Sequence, residues 1–182
     1  MHNSSPRKRR RRESCNYNSI QRDPARSGAN IQLSGNFHTV EGSFALLRGV
    51  IRYDPATGQV GGEVAFDAAS GKTGNDGRDR KMHKEVLESA RFPEIVFRPD
   101  RAEGAPATTG DSSLQVHGIF SIHGSDHELT VPVSVHFDGE TWTAKAEFQV
   151  PYAKWGMRNP SVFLLRVSGV VGVQLQAAGS LR

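Results

Sequence analysis

From about residue 29 onward, apolar side chains recur at every second position of the chain. Trp142, Ala144, Ala146, Phe148 and Val150 alternate with Thr143, Lys145, Glu147 and Gln149, so apolar groups share one face of a strand and polar groups the other. Leu129, Val131, Val133, Val135 and Phe137 repeat the pattern against Thr130, Pro132, Ser134 and His136. Leu114, Val116, Phe120 and Ile122 form another such run, as do Val60, Val64 and Phe66 with Gly62 between them, and Ile95 and Phe97 open a further one just after Pro93. Turn-forming residues separate the runs at Asp54-Pro55-Ala56-Thr57-Gly58, at 104–110 and at Asp138-Gly139. The last lies between two alternating runs and is the strongest hairpin cue in the chain. Together these features predict eight strands, near 29–40, 43–53, 58–70, 94–101, 112–122, 127–137, 140–150 and 162–176.

One segment breaks the alternation. Between Asn75 and Ala90 the only β-branched residue is Val86, and Met82, Val86 and Ala90 share a face at helical spacing. This predicts the one substantial helix, with Asn75 or Asp76 as its cap and Pro93 forbidding continuation. An α/β fold needs a helix between most strand pairs, so one helix between the third and fourth of eight strands points to an all-β antiparallel closed barrel, with a two-sheet sandwich as the alternative. A barrel of about eight strands is also the size whose interior holds one small ligand.

Charge changes this picture at one end only. The 182 residues carry a formal net charge of +4, but six of the 23 Lys and Arg residues fall between Arg7 and Arg12; without them 17 basic residues face 19 acidic ones. The basic character therefore belongs to a polar, aperiodic stretch, 1–25, expected to be a disordered basic tail ahead of a barrel domain over 26–182. That tail admits a nucleic-acid adaptor as an alternative reading, although no stable nucleic-acid partner is expected of the folded body. Cys15, the single cysteine, permits no internal disulfide and says nothing of compartment. No apolar stretch follows the arginines as it would in an export signal, so the chain as written reads as cytoplasmic; a misassigned start would make it exported or periplasmic.

Several stretches in order resemble the YceI-like family. They begin with Phe37-His38-Thr39-Val40-Glu41-Gly42-Ser43-Phe44 and Gly49-Val50-Ile51 leading into Asp54-Pro55, followed by Ser70-Gly71-Lys72-Thr73-Gly74 with Arg78-Asp79. Met82-His83-Lys84-Glu85-Val86-Leu87-Glu88-Ser89, Phe92-Pro93-Glu94-Ile95-Val96-Phe97, Gly118-Ile119-Phe120-Ser121-Ile122-His123-Gly124 and Val150-Pro151-Tyr152-Ala153-Lys154-Trp155-Gly156-Met157 complete the match, over roughly 30–176. The resemblance implies a lipocalin-like eight-stranded barrel with an apolar interior. It also implies a binding protein for polyisoprenoids or other long-chain amphiphilic lipids, with no enzymatic activity and no cofactor. A homodimer stays open.

Parity alone does not separate an ordinary core from a cavity lining. Taken with the resemblance, it assigns Val64, Phe66, Phe97, Val116, Phe120, Val131, Val133, Trp142, Ala144, Ala146 and Phe148 to a ligand-holding interior. The small residues Gly62, Ala144 and Ala146 are expected to leave volume there. Tyr152, Trp155 and Met157 are placed at its rim, either gating the opening or plugging it. Seven histidines raise a metal-dependent enzyme as an alternative, with His38 and His83 meeting at the rim. Against it, His117 has outward parity, His123 ends a strand and His127 lies beyond a turn, so no metal is expected. Arg78-Asp79 is read as orienting the helix. No P-loop, nucleophile elbow or dinucleotide fingerprint is present, which leaves catalysis without a candidate residue.

Overall fold

The computed structural model describes the backbone over 18–22, 28–35, 39–54, 56–104, 106–107, 109–160 and 167–181, and of these the side chains over 40–160 and 168–180. Ten strands follow in the order β1 (Asn18–Arg22), β2 (Gly28–Gly35), β3 (Thr39–Phe44), β4 (Leu46–Tyr53), β5 (Val60–Asp67), β6 (Glu94–Glu103), β7 (Gly110–Ile122), β8 (Ser125–Asp138), β9 (Thr141–Val150) and β10 (Val167–Leu181). The helix α1 (Asp76–Lys81) stands between β5 and β6.

These ten strands fill eight places around a closed antiparallel ring. From β4 through β10 each strand pairs with the next. Along the free edge of β10, β2 pairs with its first part and β1 with its last residues, Gly179–Leu181. β3 pairs with β2, and β4 pairs with β1, so β1/β2 and β3/β4 act as two interrupted strands and complete the ring.

The interruption at Ala45 has a local cause. Its N–H donates to Ser70 Oγ at 2.8 Å and its carbonyl accepts from the Asp67 N–H at 2.9 Å. Ser70 ends the 3-10 turn Ala68–Ser70 and Asp67 is its N-cap, and this turn ends β5 three residues earlier than the alternation suggests. Asp67 caps that turn by accepting from the Ala69 N–H.

Two expectations need correcting. Asn18–Arg22, assigned to a disordered tail, is strand β1: Ser180–Leu181 and Ile51–Tyr53 supply backbone partners on both sides, a contact that local composition does not reveal. The rest of the tail, with Arg7–Arg12 and Cys15, lies outside the described residues, as does the start of the last predicted strand. Gly62, expected to leave space inside, does something else. Its φ is +109°, and a Cβ there would lie 2.0 Å from the Val50 carbonyl oxygen, so the glycine admits the backbone of β4 rather than a ligand.

Side chains on the outer surface are largely polar. Arg48 reaches across β5 to Glu94 on β6 with two hydrogen bonds of 2.7 and 2.8 Å, and also pairs with Glu63, which touches Arg98. The Arg48 guanidinium holds the Glu94 carboxyl below its usual range, so this network contributes at neutral pH and is lost as pH falls through that lowered value. Among the described residues no helix is long and apolar enough to cross a membrane.

Gly62→Ala is expected to destabilise the fold by about 2 to 4 kcal/mol, a loss of roughly 5 to 15 °C in Tm. Gly61→Ala, whose Cβ would meet nothing within 4 Å, should be close to neutral in the same thermal unfolding series. Removing residues 1–22 should lower Tm below that of a chain lacking only 1–17, because the first deletion alone removes β1 from between β4 and β10.

Candidate functional site

The ring encloses a cavity of about 740 Å³, within the range of small-molecule sites. Strand parity builds it. Trp142, Ala144, Ala146, Phe148 and Val150 of β9 face inward, and Val131, Val133, Val135 and Phe137 of β8 stand beside them. On the other flank, Val171, Val173 and Leu175 of β10 pair with Val150, Phe148 and Ala146. Leu114, Val116 and Phe120 of β7, Phe97 of β6, and Val64 and Phe66 of β5 complete the far wall.

All eleven interior residues assigned from parity thus border the cavity, and Tyr152 and Met157 border it at one end. The large inward side chains Phe66, Phe120 and Trp142 are buried, with 8%, 7% and 8% exposure, and border the cavity, and among the described residues no large side chain is fully buried. In a close-packed interior, residues in such central places touch neighbours on every side. Here the residual exposure faces the hollow. The Trp142 indole N–H has no hydrogen-bond partner among the described residues.

One end is covered by the connection from β5 to β6. Asn75 caps α1 by accepting from the Arg78 N–H at 2.9 Å. The predicted single helix over 75–90 proves shorter and mixed: α1 passes into one π turn, Met82–Val86, and the left-handed Glu88 (φ 46°) ends it. The wider π turn brings Met82, Val86 and Leu87 to the cavity, whereas Ala90, expected on the same face, is exposed. Arg78 and Asp79 do not pair with each other. Both hold Thr73: Arg78 donates from Nε to Thr73 Oγ1 at 2.7 Å and from Nη2 to the Thr73 carbonyl at 2.8 Å, while Asp79 accepts from the Thr73 N–H and hydroxyl. Their role is to dock the helix, as expected.

The turn after β9 covers the same end. Tyr152 is buried, its hydroxyl donates to the Ser168 carbonyl at 2.8 Å, and burial pushes its phenol pKa up. Trp155, expected at the rim, is not in the lining. Its ring stacks on His127 at 4.0 Å and packs on Phe120 at 5.8 Å, which makes it part of the plug. The β8–β9 ladder starts only at Val133, next to Pro132, and this leaves the first part of β8 free for Trp155 to cover. Arg158 ties this turn to the helical segment through Glu85 at 3.1 Å.

The described histidines do not converge. His83 is held inside the helical connection, donating from Nε2 to the Gly71 carbonyl at 2.9 Å and accepting from Ser89 at Nδ1, so it is not a free rim ligand. His38 lies outside the described residues. His117 contacts Asp100 on the outer face, His123 packs against Phe92, and His127 is under Trp155. Among the described residues no group of three potential metal ligands occurs, and no carboxylate, histidine, cysteine or serine borders the cavity.

Parity assignment missed Val171, Val173 and Leu175, although their own alternation, in a strand already predicted, would have found them. Thr73, Gly77, Arg78 and Lys81 also border the cavity, and no periodicity reveals them, because only the docking of α1 brings them there.

A YceI-like domain model matches residues 21–178 of this chain. No curated protein matches it in sequence. BcnA of Burkholderia cenocepacia is similar in structure, with a TM-score of 0.74 and 19% identity over 88% of this chain and all of that one. A polyisoprenoid binding domain from Saccharophagus degradans, described as implicated in plant cell wall breakdown, has a TM-score of 0.69 and 17% identity over 93% of this chain and all of that one. The YceI protein of Campylobacter jejuni has a TM-score of 0.63 and 14% identity, over 81% of this chain and 88% of its own. At these identities the neighbours speak for the fold, and they share the lipocalin-like barrel described above. With the domain model spanning nearly all of that barrel, from within β1 to within β10, the chain belongs to the YceI-like family.

Proposed function

We propose that this protein binds an apolar or amphiphilic ligand, a polyisoprenoid or another long-chain lipid, inside the barrel and acts on it without catalysis. The observation that carries the reading is the hollow itself: about 740 Å³ bounded by inward-facing aliphatic and aromatic side chains. Moving apolar surface from water into such a lining gains about 25 cal/mol per Å². The cavity also has length. From Trp142 to Val150 both ends of an inward-facing run border it, a span of roughly 26 Å along the strand at about 3.3 Å per residue. An elongated chain fits such a space better than a compact metabolite. The polyisoprenoid binding domain that shares the fold supports the same ligand class.

Among the described residues the lining carries no carboxylate, histidine, cysteine or serine, the groups that most often serve as acid, base or nucleophile, and this favours binding over chemistry on the ligand. Of the described histidines none borders the cavity, and His83 and His127 are held by Gly71 and Trp155, which favours carriage over a metal-dependent reaction.

Native mass spectrometry of the purified protein is expected to show a co-purified or added geranylgeraniol at one per chain. Ala146 sits between Val133 and Leu175 and borders the cavity, so Ala146→Phe should reduce that binding at least tenfold while Tm moves by no more than about 3 °C. A filled core would instead lose about 1 to 3 kcal/mol from the same overpacking. Glu147→Gln, at an exposed position of the same strand, should change neither quantity. No binding by the parent together with destabilisation by Ala146→Phe would refute the carrier reading.

A further inference from the structure

We propose that the cavity prefers amphiphiles with an anionic head, a carboxylate or a phosphate, and seats that head beside Lys81 and Arg78. The inference rests on the carriage reading above and adds an orientation and a ligand class to it. Among the described residues three charged ones border the cavity: Arg78, Lys81 and Lys145. Lys145 occupies an exposed, outward position of β9, whereas Arg78 and Lys81 are both partly buried and lie three positions apart on α1, on one face of one helix turn.

No described carboxylate comes within 4.0 Å of either cation, although ion pairs within that limit form at Arg48, Arg91, Arg98 and Arg158. Asp79, the nearest acid in sequence, is turned to the Thr73 N–H and hydroxyl. Arg78 is pre-oriented by its two bonds to Thr73, which occupy Nε and Nη2 and leave Nη1 unengaged. The Lys81 ammonium makes no hydrogen bond or ion pair with the described residues. One oriented and one unpaired cation at one end of an apolar hollow supply the few polar groups that orient a ligand in such sites. In that half-buried setting a charge-assisted hydrogen bond to an anion is about twice as strong as one to a neutral hydroxyl. A lysine that only extends into solvent would not distinguish the two.

The test compares dissociation constants on the full chain for two matched pairs, palmitate against hexadecan-1-ol and geranylgeranyl phosphate against geranylgeraniol. At least one anion is expected to bind about tenfold more tightly than its alcohol, and the pair showing it identifies carboxylate or phosphate as the head. Lys81→Gln should bring that ratio close to one by weakening the anion far more than the alcohol, while Lys84→Gln, exposed and outside the lining, should leave it as in the parent. Equal binding of anion and alcohol in both pairs, or a preference untouched by Lys81→Gln, would overturn the proposal and leave carriage standing. Failure of all four compounds to bind would overturn both.

Discussion

Everything in this molecule depends on the closure of the sheet between β10 and the first two strands. A strand has an inner and an outer face only if its neighbours are in register, and the alternation of this sequence acquires meaning once the ring is complete. The seam is built from short pieces: three pairs join β1 to β10 and three join it to β4, while β2 and β3 supply the rest. Without β1 the outer edges of β4 and β10 would be left unpaired near Ile51–Tyr53 and Gly179–Leu181.

Closure creates the problem that the interior then has to solve. Around a ring of this size, side chains as small as Ala144 and Ala146 leave space between opposite walls, so the aromatic groups that face them keep contact surface unused. An apolar hollow forgoes the dispersion contacts of a packed core, and a ligand that fills it restores them. Such a ligand stabilises the folded state in proportion to the logarithm of its concentration over its dissociation constant. At one end Phe66, Leu87, Ile122, Val150, Tyr152 and Met157 form a single buried cluster. The packed floor and the hollow barrel are therefore parts of one arrangement.

The β5–β6 connection departs from plain sheet geometry in a way that serves the cavity. A regular α-helix over 75–90 would keep Ala90 on the face of Met82 and Val86; the π turn and the left-handed Glu88 instead end the helix early and direct Leu87 into the floor. Thr73 anchors this segment through Arg78 and Asp79, and the same docking brings Lys81 against the hollow. One polar anchor thereby sets both the position of the helix and the charge at that end of the barrel.

Alternating runs such as Trp142 to Val150 and Leu129 to Phe137 were enough to read the strands, their inward faces and the class of fold, because period two is a local property that a closed sheet preserves. The order of motifs from Phe37-His38 to Trp155-Gly156-Met157 was enough to read the family. Composition could not reveal that Asn18–Arg22 is a strand, since its backbone partners lie about thirty and one hundred and sixty residues away. Nor could it place Trp155 on His127, tie His83 to Gly71, or turn Gly62 from an expected void into a close approach of two backbones. Those outcomes, like the arrival of Lys81 at the cavity, depend on distances between segments remote in sequence. Residue pattern decides which face of an element is buried; only the assembled ring decides what that face meets.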